Sequence, residues 1–226
     1  MMPPPLLTAQ NLGLERDGRW LFRQLNFSVM PGCLIALTGP SGTGKTSLLS
    51  VLTQILPPSE GKVNLNTLQA NQLGFIYQDL QLSNGASVWT NAISGCLGRH
   101  GDFSTLLGFP AGEKKKCREL LEVFGLANKT SQWASTLSRG ERQRLAICRT
   151  LLASPTLLLA DEPVASLDAD WARTTLQFIK ESYLQKGGSI ICSLHAEDQV
   201  QEFADFAIRL NSHDPASWAF EPVNPS

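Results

Sequence analysis

Gly39-Pro40-Ser41-Gly42-Thr43-Gly44-Lys45-Thr46 is the stretch that decides the fold. It has the spacing G-x-x-x-x-G-K-[ST]. Its glycines let successive backbone N–H groups curl around phosphate oxygens at a helix N-terminus, Lys45 is placed to meet β- and γ-phosphates, and the Thr46 hydroxyl can ligate Mg²⁺. A glycine-rich turn can match this pattern by chance, so the flanks matter. Before it, Cys33-Leu34-Ile35-Ala36-Leu37-Thr38 reads as a strand buried on both faces. After it, Leu48, Leu49, Leu52, Ile55 and Leu56 recur at helical spacing. Strand, turn and helix together make one α/β unit.

Working outward, Asn11 to Phe22 alternates around Asp17-Gly18, a hairpin signal. Pro57-Pro58-Ser59-Glu60-Gly61 stops the first helix, and Leu73 to Tyr77 is a further strand. Residues 79–152 are polar and mostly helical in pattern, with turn signals from Gly98 to Gly112. Buried strands return at Thr156 to Ala160 and Ser189 to Leu194, joined by a helix across Ala169 to Leu184, and the tail from Asn211, with Pro215, Pro222 and Pro225, reads as loop. The expected fold is α/β: a phosphate-loop NTPase core with a parallel-rich sheet, an N-terminal antiparallel β-subdomain and an inserted α-helical subdomain. Within a single domain of 226 residues, 1–78 and 153–226 form the nucleotide-binding core and 79–152 the helical part.

Composition narrows the function classes. There are 19 Lys and Arg against 20 Asp and Glu, a net charge of −1, and the longest basic run is Lys114-Lys115-Lys116, so no footprint for nucleic acid is expected. No apolar run reaches the roughly 20 residues that span a bilayer. The start, Met1-Met2-Pro3-Pro4-Pro5-Leu6-Leu7, lacks a charged n-region and a long apolar stretch, which predicts a cytosolic product. Cys33, Cys96, Cys117, Cys148 and Cys192 are scattered without C-x-x-C spacing and read as buried, reduced thiols.

Other segments carry chemistry more ambiguously. Leu157-Leu158-Leu159-Ala160-Asp161-Glu162 is an apolar strand ending in two carboxylates, which point to opposite sides if the strand continues. Asp161 can then face a metal and Glu162 a water, although adjacent acids also occur in solvated turns. Leu137-Ser138-Arg139-Gly140-Glu141-Arg142-Gln143 contains the S-x-x-E capping box, so a helix is expected to start here and run to Leu152. The spacing fits a plain cap, and also an anion site at an exposed helix N-terminus. Gln78, Asp168 and His195 are single polar residues at or near strand ends, where ligands gather in open α/β sheets.

Taken together and in this order, the segments resemble the ATP-binding subunits of ABC transporters over almost the whole chain. Gly39 to Thr46 resembles the Walker A loop, Gln78 the Q-loop glutamine, Leu137 to Glu141 the LSGGQ signature, Leu157 to Glu162 the Walker B strand, Ser166 to Asp168 the D-loop and His195 the switch histidine. The resemblance implies ATP and Mg²⁺ as cofactors. Gly39 to Thr46 would hold the phosphates; Thr46, Gln78 and Asp161 would hold the metal. Glu162 and His195 would be the catalytic pair. It also implies a head-to-tail homodimer in which Ser138, Arg139, Gly140, Glu141 and Asp168 serve the nucleotide across the interface, membrane permease subunits, a secreted or periplasmic solute-binding protein, and a peripheral place on the cytoplasmic face of the inner membrane.

Asn91 to Arg99, Leu106 to Phe109, Leu159 to Asp168 and Leu194-His195 further resemble phosphonate importers, implying phosphonate or phosphite as cargo. Departures from the family are visible. Arg139 stands where the family has a second Gly, and Glu141 where it has Gln. Arg16 occupies the expected position of the adenine-stacking aromatic, with Trp20 nearby as the alternative. The interval from Lys45 to Gln78 is short for the family, so a trimmed loop is expected beyond the strand at Gly61 to Leu65, and with the end soon after His195 no regulatory domain is expected.

Overall fold

The computed structural model describes residues 3–66, 68–99 and 108–223. The expected turn at Gly98 to Gly112 and the Leu106 to Phe109 stretch lie in part outside the described residues, as does Pro225 of the tail.

Strands β1 (Leu7–Arg16) and β2 (Arg19–Val29) form an antiparallel hairpin, and β4 (Glu60–Asn64) adds to the other edge of β1. Asp17 and Gly18 at the tip both take left-handed φ, 51° and 73°, as a two-residue turn matched to strand twist requires. The hairpin is longer than its sequence signal because Leu7, Leu12, Leu25, Phe27 and Val29 are all buried beneath it.

The second sheet has the order β5-β6-β7-β3-β8-β9. Its members are β5 (Leu73–Ile76), β6 (Leu157–Ala160), β7 (Ser189–Ser193), β3 (Leu34–Thr38), β8 (Phe206–Leu210) and β9 (Trp218–Pro222). All neighbours are parallel except β8 and β9. Period-2 alternation divides the sheet between two cores. Leu34, Ala36, Leu158, Ala160, Ile190 and Cys192 face one, while Ile35, Leu37, Leu157, Leu159 and Ile191 face the other. Burying each Leu or Ile fully is worth about 1.5–3 kcal/mol, so strands buried on both sides anchor the fold.

On the second face lies α1 (Lys45–Leu52), which buries Leu48, Leu49 and Leu52. On the first face are helices from the chain between β5 and β6: α2 (Val88–Ile93), α3 (Ala111–Val123) and α4 (Arg139–Leu152). Then come α5 (Ala169–Phe178) and α6 (Glu197–Phe203). The α/β expectation therefore holds, with the antiparallel sheet at the N-terminal end.

Three local expectations differ from the structure. The tail is not all loop: β9 pairs antiparallel with β8, because Phe220 packs on Phe27 and Phe206 at centroid distances of 5.9 and 5.3 Å, and Pro222 terminates an edge strand where no N–H is required. The helix from Ala169 changes winding after Phe178, passing into a π turn (Ile179–Tyr183) and a 3₁₀ turn (Leu184–Lys186). Helix α1 stops at Leu52, since Gln54 adopts φ 62°, and this leaves Ile55 exposed.

Candidate functional site

Strand β3 ends at Thr38 and the loop turns into α1 through three glycines of positive φ, namely Gly39, Gly42 and Gly44. Two of them are also hemmed in. A Cβ on Gly39 would sit 2.7 Å from the Leu210 carbonyl oxygen, and one on Gly44 would sit 2.9 Å from Cβ of Leu21. Thr43 Oγ1 donates to the Pro40 carbonyl at 2.9 Å and braces the turn. No side chain caps α1, whose N-cap is Gly44, so its positive end opens onto the loop. Lys45 folds back across the loop, its Nζ donating to the carbonyls of Gly39 (2.7 Å) and Pro40 (3.1 Å). Burial pulls the Lys45 ammonium below its usual pKa, while the nearby carboxylates of Glu162 and Asp161 oppose that shift.

At the end of β6, Asp161 is 2% exposed and uses both carboxylate oxygens. Oδ2 accepts from Thr46 Oγ1 at 2.6 Å and Oδ1 accepts from Ser193 Oγ at 2.9 Å. Glu162 follows with φ 51°, left-handed for a non-glycine residue, and its N–H donates to Ser193 Oγ at 2.7 Å. The strand thus ends just before the two acids, and the backbone turn at Glu162 aims its side chain toward His195, whose Nε2 lies 2.7 Å from Oε1.

Beside this cluster opens a cavity of about 460 Å³ lined by Thr46, Phe75, Tyr77, Gln78 and Asp161. A hydroxyl, a carboxylate and an amide carbonyl are hard oxygen donors of the kind Mg²⁺ takes, with phosphates and waters completing the shell. The residues therefore fit that ion. A larger cavity of about 540 Å³ lies beside the starts of β6 and β7, between Leu120, Val123, Leu151, Phe178 and Tyr183. Its walls are mostly apolar, and it is remote from the phosphate loop.

Gln78 lies just past β5, exposed, and is followed by Leu80 and Gln81 with φ of 63° and 44°. Arg149 of α4 fixes that unusual segment by donating to the Gln81 carbonyl at 2.6 Å and the Leu80 carbonyl at 2.9 Å.

The capping box is formed. Ser138 Oγ accepts from the Glu141 N–H at 3.3 Å, and Glu141 Oε2 accepts from the Ser138 N–H at 2.9 Å. Glu141 Oε1 also pairs with Lys129 Nζ at 2.5 Å. The Lys129 bond, then the Ser138 N–H, hold the Glu141 carboxyl below the usual carboxylate range. Gly140 runs against the Ser166 carbonyl, which would lie 3.2 Å from an added Cβ. Asp168 caps α5 by accepting from Trp171 N–H at 2.9 Å.

The structure thus brings Lys45, Thr46, Asp161, Glu162 and His195 together within one chain. Among the described residues, no hydrogen bond joins Ser138, Arg139, Gly140, Glu141 or Asp168 to the phosphate loop. Arg16 is exposed, opposite Arg19 at the hairpin end; the hairpin residues nearest Gly44 are Leu21 and Phe22. The Trp20 ring carries the Arg23 guanidinium 4.0 Å from its centroid. Sequence reading missed Ser193, Lys129 and Arg149. Each acts through a partner many positions away, with no local spacing to betray it.

The ABC transporter family profile matches residues 22–165. The phosphonates import ATP-binding protein PhnC of Treponema denticola is 34% identical over 209 residues, covering 87% of this chain and 82% of that protein. The PhnC 2 protein of the same description from Pseudomonas syringae pv. syringae is 36% identical, with 83% and 74% covered. Among solved structures, a dimeric bacterial ABC transporter cassette superposes with a TM-score of 0.83 at 22% identity, covering 97% of this chain and 100% of that one. An inward-facing metal-chelate type ABC transporter gives 0.81 at 24% identity, with 97% and 84% covered. These two likenesses concern the fold.

Proposed function

The chain belongs to the ABC transporter family, and from that premise we propose that it is the ATP-hydrolysing subunit of an importer for phosphonate or phosphite. The observation that carries the ATPase reading is the convergence of a phosphate loop, through Thr46, on the Asp161 carboxylate, with the Glu162–His195 pair beside it.

Gly39 to Thr46 bind the triphosphate by backbone N–H groups and the open end of α1, and Lys45 exchanges the loop carbonyls for β- and γ-phosphate oxygens. Thr46, Asp161 and Gln78 present the oxygens that would hold Mg²⁺, which when bound supplies neutralising charge for the phosphates. Glu162 polarises the attacking water. His195 orients the Glu162 carboxylate and contacts the γ-phosphate.

The segment from Ser138 to Glu141, together with Asp168, serves the nucleotide of a second copy in a head-to-tail dimer. Its separation from this chain's own loop supports that reading, as does the exposure of Ser138 and Arg139 at a helix N-terminus. Residues 79–152 form the helical unit that carries motion from Gln78 to a membrane permease, while 1–78 and 153–226 hold the nucleotide. Arg149, reaching from α4 to the segment after Gln78, supports such a linkage. No helix among the described residues is long and apolar enough to cross a membrane. The subunit sits peripherally on the cytoplasmic face of the inner membrane and works with a separate permease and a solute-binding protein, a reading supported by the relatives named for import.

The cargo rests on the relatives named for phosphonate import. The test is deletion of the gene in its host, with phosphonate, phosphite or phosphate as the only phosphorus source. Loss of growth on the first two but not on phosphate is expected. Unchanged growth on both, with no second transporter encoded, overturns the cargo.

A further inference from the structure

Ser193 is the last residue of β7, and β7 lies between β3, which delivers the phosphate loop, and β6, which delivers the acids. Its register neighbour on β3 is Leu37, and Cys192 pairs with Ala160, so Ser193 stands alongside the point where β6 runs into Asp161. The residue is 1% exposed.

Its hydroxyl has a fixed polarity. A backbone N–H can only donate, so the oxygen accepts from Glu162, and the hydroxyl hydrogen goes to Asp161 Oδ1. The other Asp161 oxygen is taken by Thr46. A continuous path therefore runs Thr46, Asp161, Ser193, Glu162 backbone, and through the Glu162 carboxylate to His195. The Glu162 backbone is also the strained point, since φ of 51° persists in a non-glycine residue only where its surroundings impose it. The Ser193 hydroxyl holds that backbone at its N–H, and the Ala165 N–H holds it at its carbonyl, at 3.3 Å.

We propose that Ser193 is a positioning residue of the hydrolytic site: its hydroxyl ties the carboxylate assigned to the metal to the backbone that aims the carboxylate assigned to the water. This deepens the ATPase reading and rests on it. Ser193 does not touch substrate; it acts by keeping Asp161 and Glu162 in one geometry. Groups of this kind, which orient ligands from behind, change metal affinity or activity by about 10–100-fold when removed.

The test compares wild type with Ser193→Ala and Ser193→Thr, each also in a Glu162→Gln background. Measurements are kcat and KM for ATP, equilibrium binding of a fluorescent nucleotide, the Mg²⁺ concentration that half-saturates the binding of a non-hydrolysable analogue, and the melting temperature. Ser193→Ala is expected to lower kcat about 10-fold or more and to raise the half-saturating Mg²⁺, with nucleotide affinity measured without Mg²⁺ within about threefold of wild type. Ser193→Thr, which keeps the hydroxyl, should recover most of kcat. In the Glu162→Gln background the Ser193→Ala change should add little to the loss, because both act on one group. A purely structural serine would instead lower the melting temperature with kcat per folded site unchanged, or add its full effect in the double variant; either result overturns the inference. Failure of wild type itself to bind and hydrolyse ATP would overturn the ATPase reading instead.

Discussion

Oε1 of Glu162 lies 2.7 Å from Nε2 of His195, across the ends of two neighbouring strands. With the carboxylate ionised, Nε2 carries a proton and donates it to Oε1, which leaves Oε2 of Glu162 for a water. Glu162→Gln keeps the shape and removes the charge. We expect ATP affinity within about threefold of wild type and a kcat loss of about 10²–10⁴-fold, read by phosphate release. The variant should also accumulate as a dimer with ATP in size-exclusion chromatography. Lys45→Ala should lose nucleotide affinity instead. Wild-type phosphate release from Glu162→Gln would remove Glu162 from the mechanism.

Gly44 is required twice over, by φ of 91° and by the approach of Leu21. Gly44→Ala is expected to destabilise the protein by about 1–3 kcal/mol in urea denaturation. Gly98→Ala, where an added Cβ meets nothing within 4 Å, should stay within about 0.5 kcal/mol of wild type. Equal effects at the two positions would contradict the described loop.

Glu141 sets a pH dependence whose sign follows from its lowered pKa. The unfolded carboxyl titrates near its usual value of about 4.3, and the folded one below it. Stability from the Lys129 pair is therefore complete above the unfolded value and is lost as pH falls through the folded one. Glu141→Gln keeps an acceptor for the Ser138 N–H but loses the charge, so it should cost about 0.5–1 kcal/mol at neutral pH. The difference from wild type should shrink as pH falls from neutral through the lowered folded pKa. A constant difference across that range in denaturant melts would refute this assignment.

All five cysteines are buried and free. Burial pushes the thiols of Cys117 and Cys192 up to about 12 and that of Cys33 to about 11. Since the thiolate is the reactive form, a thiol reagent at about pH 8 should label the native protein slowly, and label all five positions promptly in guanidinium. Rapid native labelling of any one, located by mass spectrometry, would place that residue at the surface.

The base contact is a sharper question at the hairpin. If Arg16 stacks on the purine, Arg16→Ala should weaken ATP and GTP binding alike, and the two nucleotides should differ little in affinity for wild type. Trp20→Phe should leave both unchanged. Quenching of tryptophan fluorescence by ATP that disappears in Trp20→Phe and survives Arg16→Ala would transfer the contact to Trp20.

What could be read from the chain was whatever is local. The strand before Gly39, the glycines of the loop and the Ser138–Glu141 reciprocity all depend on residues a few positions apart, and the structure has them. The tail strand escaped because its reason for pairing is Phe220 against Phe27 and Phe206, distant in sequence, while its prolines signal loop. The change of winding at Ile179 also went unread, since its residues keep a helical composition. In the site, adjacency of Asp161 and Glu162 was visible. The left-handed turn at Glu162 was not, because the serine that accepts from its N–H lies more than thirty positions later.

The order β5-β6-β7-β3 sets the ends of four parallel strands in a row. Neighbouring strands are about 4.8 Å apart, so this row spans roughly 14 Å, and its divisions are marked by Gln78, Asp161, Ser193 with His195, and the phosphate loop. The hydrogen-bond pitch of the sheet acts as a ruler for the site. Loops can lengthen or shorten beyond the row without altering where each group starts. A proline within β7, by contrast, would disturb the central division and misalign the graduations on both sides at once.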